Sequence, residues 1–225
     1  MLPRMVAGDE YVAAITARES DRRTRRAFQE LALRSASPGR DVFDFGAGPG
    51  IDAKQYAAHG LRVLAYDIDP RMCASFIRHC GAEIAAGRVH LYEGNYRAFL
   101  ERVPHLRSSF DIGLVTANFA PLNLVDDLRE LFAGLHALTG RRAKLVASVL
   151  NPNYVGDLCY RWWWANRLRY WRKGSFSVAG TDMSIHRHSI RRVTDLAAPH
   201  FTLEAVQRDS SPLARRYLFL IFARR

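Results

Sequence analysis

Asp44-Phe45-Gly46-Ala47-Gly48-Pro49-Gly50 lies between a short apolar run, Val42-Phe-Asp-Phe45, and a segment of helical periodicity, Ile51 to His59, that Gly60 closes at the position after the C-cap. A strand thus ends in a bend rich in glycine and a helix begins beyond it. Glycine lets the backbone turn sharply and approach a ligand closely. The free N–H groups and positive dipole end of the helix suit a phosphate or carboxylate. Twenty-one residues after Gly46, the next apolar run, Arg62-Val-Leu-Ala-Tyr-Asp67, ends in a carboxylate that can accept from both hydroxyls of a ribose. The dinucleotide fingerprint G-x-G-x-x-G needs glycine at 51, where this chain has Ile51. The pattern here is G-x-G-x-G, with an acid two residues before the first glycine.

Outward from this bend, strand-like and helix-like segments alternate. Residues 10–34 read as one helix, broken by Ser35-Ala-Ser-Pro-Gly39. Asp69-Pro70 opens a helix after the second strand, with an N-cap and a proline at the first helical position. Val89–Tyr92 and Phe110–Thr116 are the third and fourth strands. An amphipathic helix follows on Leu124, Val125, Leu128, Leu131, Phe132, Leu135 and Leu138, with Asn123 as N-cap, Asp126 and Asp127 facing outward, and Gly140 as stop. Lys144–Leu150 is the fifth strand. Single helices between strands mean crossover units, a parallel sheet and helices on both faces. Phe201–Val206, a turn at Ser210-Ser-Pro212 and Tyr217–Phe222 predict a terminal hairpin, so the last strand enters antiparallel. The expected fold is a Rossmann-like α/β three-layer sandwich with a seven-stranded, mainly parallel sheet and a helical lid insertion. We expect one domain over 1–225: an N-terminal helical segment (1–40), a core (41–150), an insertion (151–188), then the last crossover helix and hairpin (189–225).

The 225 residues are 48% hydrophobic and 24% charged, which excludes disordered, collagenous and coiled-coil classes. The N-terminus has no apolar stretch of signal-peptide type, and the apolar run Leu218–Ala223 has only strand length. Cys73, Cys80 and Cys159 form no C-x-x-C pair, so reduced thiols, a cytoplasmic setting and no metal site are expected. The net charge of +11 is uneven. Residues 1–40 carry +3, 41–150 carry zero and 151–225 carry +8. Such a field attracts an anionic ligand, an acidic partner, phosphates or a membrane surface, and equally serves solubility.

At the glycine bend the sequence resembles the class I S-adenosylmethionine-dependent methyltransferases, whose first motif reads acidic–apolar–G-x-G-x-G. VLAYDIDPRM resembles the family's second motif, FDIGLVTANFAPLN its fourth, and LVASVL its fifth strand, across about residues 40–150. The resemblance implies S-adenosylmethionine as cofactor. Gly46, Gly48 and Gly50 would line its methionine and ribose portion, Asp44 would order the loop and the amino end, Asp67 would hold the ribose, and Ile68 would pack on the adenine. Asn95 stands where the family often has an aspartate on the adenine amine, and would still accept from that amine, keeping the role while losing the charge. Asn118 and Phe119 would lie beside the sulfonium, with core packing an equal reading for Phe119. Arg18 could pair with the cofactor carboxylate or face solvent.

Strand four ends Asn118-Phe-Ala-Pro121, not the Asn-Pro-Pro-aromatic box of amino methyltransferases acting on nucleic acids, and no cysteine follows a proline as in cytosine C5 enzymes. Asp126-Asp127, read on an exposed helix, leaves a metal-dependent catechol-type site unsupported. The insertion 151–188 holds all four tryptophans within ten residues, interleaved with arginines. In related methyltransferases an insertion here forms a lid over the acceptor. Tyr154, Tyr160, Trp163 and Trp164 are candidate acceptor contacts. A small apolar, aromatic or anionic molecule ranks first, an acceptor presented by an acidic carrier protein or a peripheral membrane second, and nucleic acid last. Anchoring of the tryptophans to the core is a further reading, and a non-catalytic nucleoside-binding module is the competing class. His186 and His188 are candidate general bases, or simply lead into a helix capped by Ser189. The oligomeric state is open.

Overall fold

The computed structural model describes residues 8–179, 184–207 and 216–225. The turn expected at Ser210-Ser-Pro212 and the side chains of Arg167, Leu168 and Arg169 lie outside the described set. In chain order the elements are α1 (Gly8–Ala17), α2 (Glu19–Ser35), β1 (Asp41–Phe45), α3 (Ile51–Ala58), β2 (Val63–Asp67), α4 (Pro70–His79), α5 (Gly81–Ala85) and β3 (Val89–Glu93). They continue with α6 (Tyr96–Glu101), α7 (Val103–Ser109), β4 (Ile112–Ala117), α8 (Leu128–Leu138), β5 (Thr139–Leu150), α9 (Arg161–Lys173), β6 (Ser175–Ala179), β7 (Ser184–His188), α10 (Ile190–Ala197), β8 (Phe201–Gln207) and β9 (Tyr217–Arg224).

Seven strands form one sheet in the order β3-β2-β1-β4-β5-β9-β8, in which β9 alone runs antiparallel to its neighbours. Alternate residues of a strand face opposite sides, and the burial follows that rule. Phe43, Phe45, Val115, Leu145 and Ala147 join α8 and α10 in one apolar cluster, while Val42, Leu114 and Val146 join α2, α3 and Phe76 of α4 in the other. β1, β2 and β4 are buried along their whole length, as parallel strands covered on both faces must be. Reversal of strand order between β1 and β4 leaves a crevice at their carboxyl ends, where ligands of such sheets bind.

Four expectations need correction. The helix read over 10–34 is two helices, because Arg18 is extended (φ −91°, ψ 119°). No breaker residue marks this point. Tertiary bonds set it, since Asp9 of α1 holds Ser75 at 2.7 Å and Arg78 at 2.8 Å on α4. The amphipathic helix starts at Leu128, not beside Asn123. Asp127 takes the Arg129 and Glu130 amides and is the true N-cap, so Asp126 and Asp127 precede the helix and are not on it. β5 begins at Thr139, five residues early. Gly140 is no helix stop but the place where the Arg40 guanidinium passes on its way to Asp111, 2.6 Å away. The insertion is only partly helical, since β6 and β7 add a two-stranded antiparallel sheet.

Candidate functional site

The bend after β1 is left-handed at Gly46 (φ 69°), Gly48 (φ 57°) and Gly50 (φ 82°). The reasons differ. A Cβ on Gly46 would lie 2.5 Å from the Pro121 Cβ, whereas one on Gly48 would meet nothing within 4 Å. Packing alone therefore requires glycine at 46, while Gly48 faces open space above the strand ends. The Gly48 N–H donates to Asp67 Oδ2 at 2.7 Å and the Asp69 N–H to Asp67 Oδ1 at 2.9 Å. These bonds fix the buried carboxylate at the end of β2 and leave each oxygen a further lone pair. Burial pushes the Asp67 carboxyl up and the two backbone bonds oppose it. Ile68, beside it, is 49% exposed.

Asp44 is buried on β1. Its Oδ1 accepts from the Thr116 hydroxyl at 2.7 Å and its Oδ2 has no partner. Burial, reinforced by the nearby Asp52 charge, pushes this carboxyl up to about 7.

Sequence reasoning missed the most connected group. Asp52, in the first turn of α3, accepts from Arg25 Nη1 at 2.5 Å, Gln29 Nε2 at 2.7 Å and Asn118 Nδ2 at 3.0 Å. It therefore ties α2 to the loop after β4. Arg25 also lies 4.5 Å above the Phe119 ring, which meets Tyr217 edge-on at 5.3 Å. An acid in a first helical turn is ordinary dipole complementation, and Arg25 is one arginine of a run at 22, 23, 25 and 26. Neither carries a signal. Phe119 (φ 59°) and Ala120 (φ 66°) are consecutive left-handed residues without glycine, a strain of about 1–3 kcal/mol each. Asn118 Oδ1 accepts the Phe119 N–H at 2.8 Å and Ser148 Oγ the Ala120 N–H at 3.0 Å, which holds the loop in that shape.

The structure thus brings Asp44, Gly46, Gly48, Gly50, Asp67, Ile68, Asn118 and Phe119 to the carboxyl ends of β1, β2 and β4. Two other predicted contacts sit differently. Arg18 is the exposed N-cap of α2. Asn95 caps α6, its Oδ1 accepting from the Arg97 N–H at 2.8 Å.

In the insertion, Trp163 is buried and its Nε1 donates to the Pro152 carbonyl at 3.3 Å, an anchor. The Tyr154 ring lies over Gly156. Tyr160 is half exposed and stacked on Trp162 at 5.9 Å, and Trp164 is 61% exposed. Arg187 of β7 pairs with Asp157 at 3.0 Å, both nearly buried, and donates to the Asn151 carbonyl at 3.2 Å. Asn123, fully buried, donates to the His186 carbonyl at 2.5 Å and accepts the Leu150 N–H at 3.0 Å, which joins β7, β5 and the turn after β4.

His186 and His188 occupy β7, with rings stacked at 5.8 Å, and Ser189 caps α10 as one reading expected. The His186 ring is held by Ser177 Oγ at 2.7 Å and Asp126 Oδ1 at 3.0 Å. His188 is buried and neither ring nitrogen has a partner. Burial, with His186 and Arg192 nearby, drops its imidazole to about 4. At neutral pH it is uncharged and a feeble proton acceptor.

Taken together, the crevice offers a fixed carboxylate for a diol, the exposed Ile68 for a flat ring, an unpartnered buried carboxylate oxygen for a cationic amine, and open space over Gly48. Residues 42–140 match the family model for a methyltransferase domain. No curated protein matches the chain. Among solved structures, the chain is similar to the 1,6-didemethyltoxoflavin-N1-methyltransferase of Burkholderia thailandensis, solved with 1,6-didemethyltoxoflavin and S-adenosylhomocysteine. Identity is 19%, coverage 100% of this chain and 93% of that one, and the TM-score 0.59. An S-adenosylmethionine-dependent methyltransferase of Mesorhizobium loti matches at 18% identity, with 90% and 100% coverage and TM-score 0.57. The CcbJ methyltransferase of Streptomyces caelestis matches at 14%, with 87% and 88% coverage and TM-score 0.59. At such identities these likenesses establish the fold.

Proposed function

We propose that residues 42–140, which match the family model for a methyltransferase domain, work as a class I, S-adenosylmethionine-dependent methyltransferase, and that the chain methylates a small apolar, aromatic or anionic molecule held beneath residues 151–188. The observation that carries this reading is the Asn123 clamp, which fastens β7 of the aromatic insertion to the turn that follows Asn118 and Phe119 in the chain. The small heteroaromatic in the Burkholderia enzyme supports it by analogy.

The crevice residues suit the cofactor residue by residue. Asp67 would accept from the ribose hydroxyls, the exposed Ile68 would cover one adenine face, and the unpartnered oxygen of Asp44 would take the amino group. When bound, S-adenosylmethionine supplies a sulfonium-activated methyl group. The protein orients the acceptor and excludes water, the main contributions in such a transfer. Asn118 and the strained turn at Phe119 and Ala120 shape the wall beside that methyl. Of the two histidines, His186 is the better base, because Asp126 holds its ring in one orientation.

A carrier- or membrane-presented acceptor is the second reading, favoured by the exposure of Val155, Leu158, Tyr160 and Trp164 along one stretch. Among the described residues no helix is long and apolar enough to cross a membrane. Cys73, Cys80 and Cys159 are free thiols; the cytoplasmic setting belongs to the proposal.

The deciding experiment couples S-adenosylmethionine calorimetry to a product-release assay across aromatic acids, phenols and heteroaromatic amines. Turnover of a soluble small acceptor supports the first reading. Turnover only when the acceptor is lipid- or carrier-linked moves the conclusion to the second. Tight cofactor binding with no turnover on any panel favours a non-catalytic nucleoside-binding module.

A further inference from the structure

A second cavity, of about 640 Å³, opens where the carboxyl end of α9 meets the amino ends of α8 and α10. It shares no lining residue with the glycine-bend crevice. Arg129, Arg172, Lys173, Arg191 and Arg192 converge on it from three helices, against a single carboxylate, Asp195. That carboxylate is already engaged, 3.8 Å from Arg191. Among the described residues, no carboxylate lies within ion-pair distance of Arg129, Arg172, Lys173 or Arg192. Elsewhere the fold neutralises many of its cations, as in Arg25–Asp52, Arg62–Asp41 and Lys144–Glu204. Tyr170 and Trp171 complete the wall, and Trp171 is 69% exposed.

We propose that this cavity binds a phosphate monoester carrying an aromatic ring, with Arg172, Lys173 and Arg192 on the phosphate and the ring against Trp171. The charge asks for a ligand of more than one negative charge, which a lone carboxylate does not supply. Guanidinium forks match phosphate oxygens in pairs, and the positive end of the α10 dipole opens onto the same space. A concave pocket of this volume suits a small molecule. The proposal rests on these lining residues and not on the methyl-transfer reading.

The test titrates the full chain with 1-naphthyl phosphate, inorganic phosphate and 1-naphthol, by calorimetry, with and without saturating S-adenosylhomocysteine. 1-Naphthyl phosphate should bind more tightly than either fragment and be unaffected by S-adenosylhomocysteine. Arg172→Ala/Arg192→Ala should weaken it at least tenfold, as should Arg129→Ala in part, from a different helix. Trp171→Ala should erase the advantage over inorganic phosphate. Arg88→Ala/Arg141→Ala, which removes equal charge from the opposite end of the sheet, should change nothing. Equal weakening by that control pair, wild-type affinity in the double variant, or displacement by S-adenosylhomocysteine would each overturn the assignment. Binding of S-adenosylhomocysteine in the same samples reports separately on the cofactor crevice.

Discussion

Alanine at 48 and alanine at 46 should fail in different ways, and the difference tests the reading of the bend. Both positions are left-handed (φ 57° and 69°), and a Cβ there costs roughly 1–2 kcal/mol. At Gly48 that is the whole penalty to the fold, since nothing lies within 4 Å of the added carbon. A domain of this size loses about 2–4 °C of Tm per kcal/mol, so Gly48→Ala should melt only a few degrees early. Its methyl nevertheless fills the space a nucleoside needs. S-adenosylhomocysteine should bind at least tenfold more weakly, about 1.4 kcal/mol. Gly46→Ala adds a 2.5 Å approach to the Pro121 Cβ, an overpacking of about 1–3 kcal/mol more, and should show the larger Tm loss. Differential scanning fluorimetry and calorimetry read both quantities. Unimpaired ligand affinity in Gly48→Ala would refute the placement of the cofactor over the bend.

Asp67→Asn keeps the shape of the β2 terminus but removes its charge, and should weaken S-adenosylmethionine at least tenfold by calorimetry. The Asp44 carboxyl, raised to about 7, is protonated in the free crevice at pH 6 and must ionise to meet an ammonium. Cofactor binding should therefore release a proton at pH 6 and little at pH 8, measured by calorimetry in buffers of different ionisation enthalpy, and Asp44→Asn should abolish the difference. His188 has a folded value near 4 against an ordinary 6.5, so its contribution to stability is present above pH 6.5 and lost as pH falls toward 4. His188→Gln should flatten that acid limb of the Tm profile. Removing both His186 and His188 should slow turnover once the acceptor is known, and full activity in the double variant ends the base assignment. Asp157→Ala strands the buried Arg187 and should cost about 3–5 kcal/mol, read as a lowered denaturation midpoint. An unchanged midpoint would mean that the pair is solvated.

Much of this was legible because it is local. Glycines at 46, 48 and 50 announce a left-handed bend, Asp69-Pro70 announces a helix start, and Gly60 (φ 80°) ends α3 as read. The terminal hairpin and its antiparallel strand follow from pattern and spacing. The rest depends on partners distant in sequence. Arg25 and Asp52 are 27 residues apart, and Asn123 and His186 are 63 apart. Asn123 read as an N-cap because asparagine suits that role locally, yet its buried amide is committed to two other segments. Arg18 ends α1 with no breaker, because α1 is held by α4. The β6–β7 sheet hid behind the tryptophan run that precedes it.

Asn123 also divides the insertion into two mechanical regimes. Peeling β7 from the core ruptures the Asn123–His186 bond and the buried Arg187–Asn151 bond, and each donor or acceptor left dry costs about 1–3 kcal/mol. Lifting the exposed residues Leu158 to Tyr160, tethered by short-range turns, breaks neither, whereas the neighbouring Asp157 is pinned to Arg187 of β7. For the acceptor proposed above this places entry at the outer rim, from Leu158 to Tyr160, which can change residue by residue without disturbing the hinge.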